Sequence, residues 1–174
     1  MMPITYFENE DLFAAETDAL VNPVNCAGAM GKGIAKEFKK QFPECFKPYK
    51  EACDNNLLRP GKLIYIHVDV QPTLFENKRP SIILFPTKEH WRGKSKIDWI
   101  EAGLRDLRNH YQEWGIESIA MPALGCGYGQ LEWPKVRELI EEYFSNEPIL
   151  IQVYFSSTNK YENSKLAVKP NCKQ

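Results

Sequence analysis

The sequence predicts an α/β sandwich built on a mixed, largely parallel central sheet, and three observations carry that prediction. Apolar runs of strand length recur along the chain, amphipathic helical stripes separate them, and glycine-rich segments follow directly on strand ends. The strand-length runs are Ala19–Val24, Leu63–Val68, Ser81–Phe85, Ser118–Met121 and Ile149–Phe155. Most are apolar without alternation, as in strands covered on both faces. The first helix is predicted from about Gly33 to Phe42, with Ile34, Phe38 and Phe42 on one side and Pro43 ending it. In the second, Ile97, Ile100, Leu104, Leu107, Tyr111 and Trp114 recur at helical spacing as far as Gly115, with Ser95 and Asp98 as the expected capping pair. Val136, Leu139, Ile140, Tyr143 and Phe144 make a third stripe, opened by Pro134 in a first turn where its missing N–H costs nothing. In such sheets the ligand crevice lies beyond the carboxyl ends of the strands, and every unusual motif in the chain falls there.

With 174 residues, 43% hydrophobic and 26% charged, the chain has the composition of one soluble globular domain, not of a disordered or collagen-like one. Lys+Arg 22 against Asp+Glu 23 leaves a formal charge of -1, so no global field draws it to nucleic acid or an anionic membrane. An anionic ligand has to be held locally. Cys26, Cys45, Cys53, Cys126 and Cys172 are odd in number, widely spaced and short of histidine neighbours, which argues against a zinc site and fits a reduced, cytoplasmic setting. The acidic amino-terminal segment MMPITYFENEDLF does not read as an export signal, and no apolar run approaches the length of a membrane span. Residues 1–157 are expected to form the domain, as a monomer, and the lysine-bearing stretch 158–174 a polar tail or the start of a linker.

The segment NPVNCAGAMGKGIAKEF, Asn22 to Phe38, runs from a strand through Gly28, Gly31 and Gly33 into a helix. Backbone freedom at the glycines and the unpaired N–H groups of the helix start outline a phosphate cradle. Lys32 is followed by glycine, so this is not the GxxxxGK[ST] loop and nucleoside triphosphate hydrolysis is not indicated. Asn22 and Asn25 add side-chain amides able to hold sugar hydroxyls. PALGCGYGQLEWP, Pro122 to Pro134, repeats the strand, loop and helix order, and Gly125, Gly127 and Gly129 let a second loop close over a phosphate, with Tyr128 as its bulky contact. A ligand-free glycine turn is the bland alternative for either segment; the pair implies a diphosphate between them. Cys26 and Cys126 lie in these loops, where backbone amides can lower a thiol pKa. No histidine accompanies them, and both are expected as small space-filling residues.

A third segment, LFPTKEHWRGKS, leaves a strand through Pro86 and sets Thr87, Lys88, His90, Trp91 and Arg92 at its mouth. A lysine desolvated in a crevice loses pKa and can serve as nucleophile or proton-transfer group; otherwise it is a solvated loop lysine. Lys78, Arg79, Lys88, Arg92, Lys94 and Lys96 surround Trp91 with Glu89 as the one acid. Such a stretch can grip single-stranded nucleic acid through phosphates and base stacking, or be simply a solvated face.

Taken together, these residues resemble a macrodomain, the ADP-ribose-binding fold, from about Ile4 to Phe155. In that family an Asp-Ile pair precedes an Asp-Ala-Ile-Val-Asn strand end, and here Asp11-Leu12 and Asp18-Ala19-Leu20-Val21-Asn22 stand at matching separation. The resemblance implies a three-layer α/β/α architecture. It also implies that Asp11 accepts from the adenine amino group beside the Leu12 backbone, that Phe155 lies against adenine, and that Gly31–Ile34 and Gly125–Gly129 wrap the diphosphate. Asn25 would hold the distal ribose, and Asn22, Thr87, Leu124 and Cys126 join the ADP-ribose contacts. The NPVNCAGAMGKGIAKEFKKQFP and FPTKEHWR runs resemble the DarG-like branch of DNA ADP-ribosyl glycohydrolases, related to the terminal ADP-ribose protein glycohydrolases. Lys88 matches the essential lysine of that branch. Gly129 stands where the human protein-directed enzyme has an aspartate, which favours the DNA-directed reading.

That resemblance implies a hydrolase that removes ADP-ribose from thymine bases of single-stranded DNA, an antitoxin to a DarT-like toxin. The toxin contact would run through a region outside this chain. ADP-ribose is the implied ligand or product, with no metal or other cofactor; Lys88 and Asn25 are the implied catalytic residues, and His90, Trp91 and Arg92 the candidate DNA contacts. A hydrolase of ADP-ribose esters on protein carboxylates or of O-acetyl-ADP-ribose, and a non-catalytic ADP-ribose reader, are the alternatives.

Overall fold

The computed structural model describes residues 4–68 and 79–157; Lys78, Cys172 and the predicted tail 158–174 lie outside the described residues. Its elements in chain order are β1 (Ile4–Glu8), β2 (Ala19–Asn25), α1 (Gly33–Gln41), α2 (Phe46–Asp54), β3 (Ile64–Ile66), β4 (Ser81–Lys88), α3 (Ile97–His110), β5 (Ser118–Pro122), α4 (Trp133–Phe144) and β6 (Leu150–Phe155). The strands form one sheet in the order β1-β6-β5-β2-β4-β3. Each neighbouring pair is parallel except β3 with β4, which gives the mixed, largely parallel sheet that the apolar runs predict.

Alternate residues of β2 divide the core. Ala19 and Val21 pack with Leu104, Leu107, Val136 and Ile140 of α3 and α4. Leu20 and Val24 face Phe38 of α1 and Tyr49 of α2 on the other side, so the sheet is the middle of three layers. Burial on both faces is why β4 reads as an unbroken apolar run: Ser81 through Thr87 are all buried. Burying each such Ile, Leu or Phe side chain is worth about 1.5–3 kcal/mol, and that, more than helix propensity, holds the layers together.

Two elements were not among those read from periodicity. β1 is short and only partly buried, and the α2 stripe of Tyr49, Ala52 and Cys53 is interrupted by Pro48 in its first turn. The predicted strands shift by one to three residues: β2 and β4 run on to Asn25 and Lys88, and β3 is confined to Ile64–Ile66. α3 stops at His110, and Gly115 closes the following turn with φ 67°. The expected Ser95–Asp98 cap is replaced by Lys96 at the cap position with no side-chain capping bond. Ser95 is drawn away instead, its N–H donating to the Gly129 carbonyl at 3.0 Å, and its hydroxyl lies buried with no hydrogen-bond partner among the described residues.

Candidate active site

A cavity of about 950 Å³ opens at the carboxyl ends of the central strands. That volume suits a dinucleotide-sized ligand. β2 contributes Asn25, β4 Thr87 and Lys88, and β6 Tyr154 and Phe155; both glycine segments line the same space. The pairing of β2 with β4 is what brings the polar residues together. It runs in register from Ala19 opposite Ser81 to Val24 opposite Pro86, then slips by one residue so that Asn25 stands opposite Lys88. A bulge at a strand end re-aims side chains in this way.

The first glycine segment is shaped by Asn25 itself. Its Nδ2 donates to the Ala29 carbonyl at 2.7 Å, and its Oδ1 accepts the Ala27 N–H at 3.0 Å. α1 then begins at Gly33 with Lys32 as a cap that makes no side-chain bond, so no side chain satisfies its first N–H groups. These groups and the positive end of the helix dipole lie at the cavity wall beside Gly31 and Lys32, an arrangement that favours an anion. Gly33 has φ 59°, and a Cβ there would stand 3.2 Å from the Tyr128 ring. Glycine thus lets the second loop's aromatic lie directly on the first.

In the second loop a Cβ on Gly129 would lie 2.3 Å from both the Gly125 carbonyl oxygen and the Ser95 hydroxyl. The second loop therefore has no room for a side chain at residue 129. Lys88 Nζ donates to the Tyr128 carbonyl at 2.9 Å, tying the strand-end lysine to this loop. Partial burial lowers the Lys88 pKa from its ordinary value by disfavouring the ammonium. Cys26 moves the other way: burial pushes its thiol up to about 11, the opposite of an activated nucleophile.

At the adenine end proposed by sequence, Asp11 Oδ1 caps a 3-10 turn by accepting the Phe13 N–H at 3.0 Å. Phe155 stacks one face on Trp133 at 5.3 Å between ring centroids. Leu57, Trp91 and Tyr128 are the large apolar side chains left exposed among the described residues, and of these Trp91 and Tyr128 line the cavity. Arg92 lies 4.4 Å over the Trp91 ring. His90 accepts the Arg92 N–H through Nδ1 and sits 5.1 Å from Trp91, supporting that ring from outside the cavity.

Of the site residues expected from sequence, Asp11, Leu12, Asn25, Gly31, Lys32, Gly33, Ile34, Thr87, Lys88, Trp91, Arg92, Gly125, Gly127, Tyr128, Gly129 and Phe155 line the cavity. Four do not. Asn22, Leu124 and Cys126 are almost fully buried behind it, and His90 faces its own turn. Sequence reasoning missed other lining residues, Phe13, Gln130 and Tyr154 among them, and Tyr49, which hydrogen-bonds Asn25 from below. The i, i+3, i+4 spacing of Tyr49, Ala52 and Cys53 was the signal that could have placed Tyr49 on a buried helix face.

The chain belongs to the macrodomain family: the Macro domain model matches residues 21–140. Within it, the chain is 43% identical over 145 residues to the DNA ADP-ribosyl glycohydrolase of Mycobacterium tuberculosis, covering 83% of this chain and 40% of that protein. It therefore spans about two fifths of the length of this curated relative. The solved macrodomain of Mycobacterium tuberculosis DarG superposes with a TM-score of 0.80 at 41% identity, covering 89% of this chain and 98% of the other. Thermosipho africanus DarTG in complex with ADP-ribose superposes at 0.79 with 37% identity over 87% of this chain and 41% of that one.

Proposed function

We propose that the cavity binds ADP-ribose and that the chain hydrolyses the N-glycosidic bond joining ADP-ribose to a base, thymine in the reading from sequence, of single-stranded DNA. The observation that carries this reading is Lys88, partly desolvated at a strand end, opposite Asn25 in the sheet and held by the second glycine loop. The two loops fix the diphosphate by backbone N–H groups and so set the anomeric carbon beside Lys88, turning binding energy into orientation. The lowered pKa favours Lys88 as nucleophile. Its amine attacks the anomeric carbon, the bond to the base breaks, and the electron pair leaves with the base, which takes the proton that the amine loses. The glycosylamine opens to an imine, and water releases ADP-ribose and free Lys88. A proton-transfer role for Lys88 is the alternative.

DNA enters past Trp91 and Arg92, with His90 steadying the Trp91 ring. The similarity to DNA ADP-ribosyl glycohydrolases, one of them fused to a DNA ADP-ribosyl transferase, supports an antitoxin role against a DarT-like toxin. Hydrolysis of protein esters is less favoured because Gly129 leaves no room for a carboxylate in the second loop.

The test incubates ADP-ribosylated oligonucleotide with wild type and Lys88→Ala and follows loss of the ADP-ribose mass. Wild type removes it and Lys88→Ala does not, while both bind ADP-ribose. Binding without turnover by wild type would make the chain a reader module. Borohydride added during turnover should trap a lysyl adduct; none forms if Lys88 only moves a proton.

A further inference from the structure

We infer that Tyr49, a residue of α2 outside the cavity, is a positioning residue that makes Asn25 a pure hydrogen-bond donor toward the distal ribose. The inference rests on the ADP-ribose reading of the cavity and concerns how that site tells ADP-ribose from a nucleotide lacking the second sugar.

The orientation of the Asn25 amide is fixed by its backbone partners. Oδ1 faces the N–H of Ala27 at 3.0 Å and of Ala29 at 3.4 Å, while Nδ2 faces the Ala29 carbonyl at 2.7 Å. Turning the amide over would set NH2 against two N–H donors and the oxygen against a carbonyl, so only one orientation is compatible with the loop. Tyr49 reinforces it. Its hydroxyl lies 3.0 Å from Asn25 Oδ1 and 2.8 Å from the Asn25 main-chain oxygen, and its one proton is shared between these two acceptors. The ring is fully buried between α2 and the sheet. Burial also pushes the phenol pKa well above its ordinary value, so Tyr49 stays a donor across the working pH range.

The lone pairs of Oδ1 are therefore occupied from behind, and one Nδ2 proton is committed to Ala29. What Asn25 retains for the cavity it lines is its second Nδ2 proton. Such a group donates to a sugar oxygen but cannot accept from one or act as a base. Since Asn25 stands opposite Lys88 at the slipped end of the β2–β4 ladder, its partner is an oxygen of the ribose whose anomeric carbon Lys88 attacks. Without the Tyr49 hydroxyl, Oδ1 keeps only the loop N–H groups, the longer of them at 3.4 Å, and the amide is held less firmly in the one orientation that the loop allows.

The experiment compares ADP-ribose with ADP, which lacks the distal ribose, by calorimetry on wild type, Tyr49→Phe, Asn25→Ala and the double variant. Tyr49→Phe should weaken ADP-ribose about tenfold, roughly 1.4 kcal/mol, and leave ADP within about twofold, whereas Asn25→Ala, which also loses the loop bonds to Ala27 and Ala29, should weaken ADP-ribose at least as much and ADP as well. The double variant should be no worse than Asn25→Ala, because Tyr49 acts on the ligand only through Asn25. Equal loss of ADP and ADP-ribose in Tyr49→Phe, additive losses, or no loss would overturn the inference. A measurement on wild type alone stands should Tyr49→Phe fold poorly: one Asn25 side-chain amide proton resonance should move on titration with ADP-ribose and stay put with ADP. Failure of wild type to cleave modified DNA would remove the proposed reaction and leave this binding comparison intact.

Discussion

Gly127 and Gly129 sit two residues apart in the same loop, yet their surroundings differ. A Cβ on Gly127 would meet nothing within 4 Å, whereas one on Gly129 would overlap a backbone carbonyl oxygen and the Ser95 hydroxyl. Gly129→Ala is expected to cost about 1–3 kcal/mol through overpacking and to weaken ADP-ribose binding. Gly127→Ala should leave melting temperature unchanged; thermal melts and calorimetry of the two variants check this. Lys88 carries a second expectation. Burial lowers its pKa, so its neutral, nucleophilic form appears at lower pH than for free lysine near ~10.4. Single-turnover cleavage should therefore rise with pH to a plateau whose midpoint lies below that value; a rate that falls as pH rises would mark Lys88 as an acid. The residues with local signatures, such as the glycines and the lysine at a strand end, were legible in the sequence. Tyr49 and Ser95 were not, because their partners Asn25 and Gly129 lie far along the chain and become neighbours only in three dimensions.

Between α3 and the sheet, Gly103 faces the Phe85 ring, whose nearest atom would be 2.3 Å from an added Cβ. Alanine is better than glycine by about 1 kcal/mol in a helix interior, but here packing opposes propensity. Three ring atoms would fall within 3.0 Å of the new methyl, and Phe85 is fully buried, so the overlap decides the sign. Gly103→Ala should lower the melting temperature by several degrees despite its helix preference, as a calorimetric scan would show. The elements themselves were legible where periodicity was long and clean, as in α1, α3 and α4. β1 escaped because it is a short, half-exposed edge strand, and α2 because Pro48 interrupts its stripe. At the start of α3, Ser95 fits the local capping pattern, but its backbone bond to Gly129 takes it elsewhere. Tertiary contact overrode local chemistry there.

At the scale of the whole molecule, the formal charge of -1 sets no long-range attraction for an anion. The site needs none, because helix and loop N–H groups carry no net charge and act only at contact. The groups proposed to act on the substrate ride on β2 and β4, neighbours in the middle of the sheet, and not on a peripheral flap. Their separation is set by the spacing between hydrogen-bonded strands, about 4.8 Å. The proposed catalytic pair thus rides on core strands, the kind of element that opens only with global unfolding. Loss of activity on heating should follow the loss of β-sheet circular dichroism in a single transition. Inactivation well before that transition would mean the chemistry depends on something softer than the sheet.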